Sequence, residues 1–209
     1  MHFGDLHLIL FVKNEMKKIF IDDSISLVDF KILEINQNLK NLYLSWLKNQ
    51  NIIKYIFSNE LNKGNFDNSF IDKSIKRFSS NTTIGYFIYF EEEKKFIGTC
   101  KIDKIDHVKK EAMNGIMIGD ETFFDKGIGG KVYDILLSYS KNILNFDYNL
   151  SDCSELNIPM IKLLKKKNYF LYKILRKTDN FKGNLYDHHY FKLDLSKINA
   201  KKLYKSNFI

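Results

Sequence analysis

The sequence predicts an α+β fold, a mixed and mostly antiparallel sheet flanked by helices, on three observations. The segments "TIGYFIYF", "FIGTCKI" and "AMNGIMIG" are rich in β-branched and aromatic residues and follow one another closely enough for an antiparallel meander. Apolar residues then recur at Val132, Ile135, Leu136, Tyr139, Ile143 and Phe146, the spacing of one buried helix face. Between meander and helix stands Asp125 to Lys131, "DKGIGGK", which holds three of the ten glycines.

In chain order, residues 1–17 are expected to be an N-terminal extension and residues 18–209 to form one domain; one reading makes Met16 the natural first residue and residues 1–15 an upstream extension. Ser26 to Leu33 has the length and apolar content of a first strand. Asn36 to Leu47 places Leu39, Leu42, Tyr43, Trp46 and Leu47 on one helical face. Ile52 to Phe57 and Ile71 to Phe78 read as short helices around the polar "SNELNKGNFDNS". Past the long helix, which is expected to begin near Lys131, come a strand in "FDYNLSDC" and a helix in "NIPMIKLLKKKN". Two final strands follow in "YFLYKILRK" and "YDHHYFKLDL".

At 209 residues and 44% hydrophobic content, the chain can bury a substantial core. No window approaches 18 apolar residues, and the opening lacks the basic leader and cleavage site of an export signal, so no membrane association is expected. Cys100 and Cys153 are the only thiols, which fits a reducing cytoplasm and cannot by themselves build a metal site. The formal charge of +8 favours a polyanionic partner. The lysine runs lack interleaved aromatics and read as solvated faces, so a phosphorylated small molecule is expected ahead of nucleic acid, with a basic nucleic-acid-binding domain and the plain composition of an AT-rich genome as the other readings of the charge.

A glycine-rich turn opening a helix suits an anion, because the backbone can approach closely and the first amides are unpaired. "DKGIGGK" is not a P-loop: Asp125 stands at the first glycine position and Val132 at the Ser/Thr position. It is not the dinucleotide fingerprint either, because Val132 occupies the third glycine and no repeated strand-helix-strand pattern surrounds it.

The remaining pattern, x-x-G-x-G/A opening a long helix after a meander, resembles the acetyl-CoA-binding core of the GNAT N-acetyltransferase superfamily. Trp46 in the first helical region, "FIGTCKIDKID", and "NIPMIKLLKKKNYF" extend the resemblance, over roughly residues 18 to 195, towards the branch that includes ribosomal-protein N-terminal and sugar-nucleotide acetyltransferases. It implies that strand "GIMIG" splays from "NLSDC", with backbone near Ile116 and Ile118 pairing with the pantetheine of acetyl-CoA. It also implies a pyrophosphate on the amides of Asp125, Lys126, Gly127, Ile128, Gly129 and Gly130, and cofactor contacts at Phe124 and Asn157. Asn157 equally reads as a helix cap before Pro159.

The sequence departs from the family pattern at several positions. Phe124 stands where glutamine or arginine is usual, Met160 where a small residue is, and Asn168 where a glycine is. Leu164 falls where many members carry the tyrosine that protonates the thiolate. Asn114 occupies the approximate position of the usual glutamate base and, as an amide, can only position a water or substrate. The catalytic candidates are therefore Asn114, Glu111 and His188, the last sharing a strand face with Tyr190 while His189 takes the other. The resemblance implies a primary-amine acceptor, with the amino group of a nucleotide-linked sugar in bacterial surface-glycan synthesis as the leading expectation. A protein N-terminus or small amine is the alternative, a degenerate acyl-CoA-binding module the non-enzyme alternative, and a homodimer the family-level expectation.

Overall fold

The computed structural model describes residues 18–31, 33–56 and 67–198. The expected extension at 1–17 lies outside the described residues, as does Phe57. Eight strands form one sheet in the order β1-β2-β3-β4-β5-β6-β8-β7. They are β1 (Lys18–Phe20), β2 (Ile25–Asp29), β3 (Ile84–Phe90), β4 (Lys95–Asp106), β5 (Glu111–Ile118), β6 (Tyr148–Ser154), β7 (Phe170–Phe181) and β8 (Asn184–Asp194). Every neighbouring pair is antiparallel except β5 with β6, which is parallel.

Helices cover both faces. On one side lie α1 (Gln37–Lys48), α2 (Gln50–Ile53) and α3 (Asn68–Phe78). The amphipathic pattern read around Trp46 works as expected: Leu39, Tyr43, Trp46 and Leu47 are buried against Val28, Phe30 and Phe87. Asn36 caps α1 by accepting the Leu39 amide at 3.0 Å, and Asp67 caps α3 in the same way. Trp46 rests directly on Gly119, where a Cβ would lie 2.1 Å from the indole ring, so no side chain can stand there without displacing the helix.

The other side carries α4 (Ile128–Asn142) and α5 (Ile158–Lys166). Val132, Tyr133, Ile135, Leu136 and Leu137 of α4 bury themselves with Ile88, Ile97, Ile102 and Ala112 of the sheet. The meander and the final hairpin are present as expected. The structure differs at element ends: α4 begins at Ile128 rather than near Lys131, β2 stops at Asp29, and a short strand β1 adds to the sheet edge. The helix starts early because its first-turn amides need no intrahelical partner, so Gly129 and Gly130 lie inside it.

Candidate active site

The site forms where the sheet comes apart. β5 and β6 pair only over Glu111–Met113 against Tyr148–Leu150. Beyond that, β5 stays with β4 as far as Ile118 and β6 stays with β8 as far as Ser154. The β6-facing edge of β5 from Asn114 to Ile118 thus has no strand partner among the described residues. A clasp marks the point of separation. The Tyr133 hydroxyl of α4 donates to the Asn114 carbonyl at 3.1 Å, Ser151 Oγ reaches the same carbonyl at 3.3 Å, and the two hydroxyls lie 2.8 Å apart. The clasp satisfies a buried carbonyl that the broken ladder would orphan. Burial pushes the Tyr133 phenol up, against the hydrogen bond it shares with Ser151, so it stays protonated and able to donate.

The gap opens into two adjoining cavities. The first, of about 480 Å³, runs from Ile116 and Ile118 to the glycine turn and is walled by Pro159, Met160 and Leu163 of α5. In the turn, Asp125 and Gly127 take left-handed φ of 57° and 75°, and Gly127 precedes the first residue of α4. The amides of Gly130 and Lys131 donate to the Gly127 carbonyl, whereas those of 125–129 make no hydrogen bond among the described residues. Unpaired amides at the positive end of a 15-residue helix form an anion cradle. A Cβ on Gly129 would meet Ile116 Cδ1 at 3.9 Å, an ordinary contact, so it takes a longer side chain there to fill the passage between turn and strand.

Of the residues expected to meet the cofactor, Ile116, Ile118, Phe124, Asp125, Gly127, Ile128, Gly129, Gly130 and Asn157 line this cavity. Lys126 does not; its ammonium lies over the Phe123 ring, 4.9 Å from the centroid. Asn157 caps α5, accepting the Met160 amide at 3.1 Å, and lines both cavities. Leu164 is fully buried in the core and lines neither, so the α5 residues at the first cavity are Pro159, Met160 and Leu163. The groove fits the pantetheine and pyrophosphate of acetyl-CoA: an unpaired strand edge for its amides, unpaired helix amides for its charge.

A missed contribution comes from α2. Asn51, Ile52 and Lys54 wall the first cavity, and the Asn49 and Asn51 amides both donate to the Glu121 carboxylate, tying the α1–α2 corner to the turn. Polar residues after a helix gave no sequence signal for this.

The second cavity, of about 570 Å³, adjoins the first along Ile116, Met117, Asn157 and Met160, and Asn114 lines only the second. Lys73, Arg77, Lys101 and Lys104 line it against two carboxylates, Asp103 and Asp152. Asp103 is already committed to Arg77, Lys101 and Thr83, and although burial opposes ionisation, these partners hold its carboxyl below the usual range. Asn114 is 2% exposed and neither polar atom of its side chain has a hydrogen-bond partner among the described residues. A buried orphan amide beside a cavity costs stability unless it meets a ligand.

His188 lines this second cavity beside Asp152 and Cys153. Its ring stacks obliquely on Tyr190 at 4.9 Å, as the shared strand face requires. Burial disfavours its charged form, but Asp152 and Asp179 outweigh burial and raise its pKa above 6.5. Burial pushes the Cys153 thiol up to about 12, which leaves it an inert apolar group. Glu111 is not brought to the site: it stands at the closed end of β5, lines neither cavity, and faces Lys192 at 3.4 Å.

Comparison with known proteins follows the same lines. No curated protein sequence matches significantly. Among solved structures, the spermidine N-acetyltransferase of Vibrio cholerae in complex with CoA and spermine is similar, with a TM-score of 0.71 and 17% identity over 84% of this chain and 98% of that one. RimL, a ribosomal L7/L12 alpha-N-protein acetyltransferase in complex with coenzyme A, has a TM-score of 0.68 and 14% identity over 88% and 99%. Residues 34–168 match the family described as the acetyltransferase (GNAT) domain. With the splayed strands, the glycine turn and this match in agreement, the chain belongs to the GNAT family of acetyl-CoA-dependent N-acetyltransferases.

Proposed function

We propose that the protein acetylates the amino group of a nucleotide-linked amino sugar, of the kind used in bacterial surface glycans, in the cytoplasm. The observation that carries this reading is the charge of the second cavity: four cations against two carboxylates, one of them already neutralised by Arg77 and Lys101. Such a lining favours an acceptor that carries its own phosphates. No helix among the described residues is long and apolar enough to cross a membrane.

Acetyl-CoA supplies the activated acetyl group, and this chain's residues do the rest. The amides of 125–129 and the free edge of β5 orient the donor. The Tyr133 clasp fixes the floor of the gap at the Asn114 carbonyl, so the acetyl end is presented beside Ile116 and Met117, which line both cavities. Lys73 and Lys104 attract the phosphates of the acceptor, and the amine enters from the second cavity.

The test is thiol release from acetyl-CoA with a panel of nucleotide-linked amino sugars, polyamines and N-terminal peptides. Turnover with the nucleotide sugars and not with the others is expected. Turnover confined to polyamines or peptides overturns the acceptor assignment, and measurable acetyl-CoA binding with no release for any amine overturns catalysis. Polyamines are the second reading because a similar structure is that of a spermidine N-acetyltransferase. Against it stands the cationic lining, which repels a polycation.

A further inference from the structure

We propose that His188 is the general base of the transfer and that Asp179 holds it as a dyad, with Nε2 receiving the proton of the acceptor amine. The proposal rests on the N-acetyltransferase reading and adds the residue that moves the proton.

The geometry starts from an irregularity. The β7–β8 register shifts between Leu175 and Asp179, and Lys177 within the shift takes a left-handed φ of 54°. Such a bulge re-aims side chains, and a non-glycine residue at positive φ persists only where its surroundings hold it. Here Asp187 does so, accepting the Lys177 amide at 3.0 Å and the Arg176 guanidinium. Asp187 is fixed in turn, its own amide donating to Glu155 at 2.8 Å. The result is Asp179, 6% exposed, with its two carboxylate oxygens 3.0 and 2.9 Å from His188 Nδ1.

A carboxylate at that distance requires a proton on Nδ1, so the neutral ring carries its lone pair on Nε2. Nε2 is 3.7 Å from Asp152 Oδ2, beyond hydrogen-bond length, and both residues line the acceptor cavity. The lone pair is thus left beside the cavity wall, with a second carboxylate next to it to hold an incoming ammonium. The groups in contact with His188 are Asp179 on β7, Asp152 on β6 and Tyr190 on β8, while Lys101 and Lys104 of β4 line the same cavity and act on Asp152. The two lysines favour an ionised Asp152, and the two carboxylates favour the imidazolium. Neither Asn114, an amide, nor Glu111, outside both cavities, competes for the role.

The step balances as follows. The acceptor ammonium gives one proton to Nε2, and the neutral nitrogen forms its bond to the acetyl carbonyl carbon. The carbon–sulfur bond breaks, the second nitrogen proton passes through solvent to the coenzyme thiolate, and His188 returns its proton to water.

The experiment compares His188→Gln and Asp179→Asn with the unaltered protein, using whichever amine of the panel supports thiol release. His188→Gln should lower kcat by about 10²- to 10⁴-fold and leave acetyl-CoA affinity unchanged. In Asp179→Asn the acidic limb of kcat/KM should move to lower pH, because the imidazolium loses a stabilising carboxylate. A kcat within threefold for His188→Gln, or an unmoved limb in Asp179→Asn, overturns the proposal. Long-range ¹H–¹⁵N spectra of the unaltered protein provide a readout that needs no acceptor and no variant enzyme. The neutral His188 ring must be the Nδ1–H tautomer, and an Nε2–H ring overturns the dyad. If no amine is turned over, the acceptor reading fails while the spectrum still decides the dyad.

Discussion

The two halves of the groove are built from different materials. The half proposed for the cofactor is made mostly of main chain: a strand edge without a partner among the described residues, the amides of a glycine turn, and a helix end. The half proposed for the acceptor is made of side chains, most of them from α3, β4, β5, β6 and β8. Backbone presents the same chemistry whatever the side chains, so the first half is disturbed by adding bulk and hardly by trimming. The second is disturbed by removing or reversing a charge.

Four changes test that contrast, the largest effect first. Gly129→Trp should weaken acetyl-CoA binding by at least about 100-fold in calorimetry with little loss of Tm, because a Cβ there meets only Ile116 at 3.9 Å and the bulk projects into the passage. Unchanged affinity would put the donor elsewhere. Lys73→Glu should raise KM for a nucleotide-linked acceptor about tenfold, the effect of roughly 1.4 kcal/mol, without changing acetyl-CoA affinity. An equal loss for both substrates would break the division between the halves. Tyr133→Phe should cost about 1–2 kcal/mol in chemical unfolding, because the buried Asn114 carbonyl keeps only its longer bond to Ser151.

The smallest effect concerns Asp22, which accepts from Lys131 at 2.6 Å on the first turn of α4. The lysine, aided by Ser24 and against slight burial, lowers its pKa from 3.8 to about 2. A depressed carboxylate contributes stability above its unfolded pKa and loses it as pH falls through the folded one. The Tm difference between Asp22→Asn and the unaltered protein should therefore be constant near neutrality and shrink between pH 4 and pH 2. A difference that grows in that window contradicts the assignment.

The same contrast explains what could be read from the sequence. The meander, the long helix and the glycine turn are local features, each written in a dozen adjacent residues, and they implied the fold and the donor. Asn157 was legible as a cap because its partner is three residues away. The β1 strand of three residues has too little pattern to register, and the start of α4 was misplaced because its first turn looks like a loop. His188 and Tyr190 shared a face by simple alternation. Asp179 could not be found, because a bulge at Lys177 breaks alternation in β7 and brings it to His188 from a position no periodicity predicts. Glu111 was placed by nearness in sequence, but the strand carries it to the closed end.

The brevity of the β5–β6 pairing has a mechanical meaning. Three residue pairs are all that join strands β1 to β5 with β6, β8 and β7, so the sheet is two leaves sharing a short spine, with α4 pressed across it. A ligand lying along both free edges would stitch the leaves further up. Saturating acetyl-CoA, at about 100 times its Kd, adds about 2.7 kcal/mol to the whole fold. The protection this brings against hydrogen exchange should be concentrated at the open margins, 114–118 and 151–154, where the empty protein has no second strand to lean on.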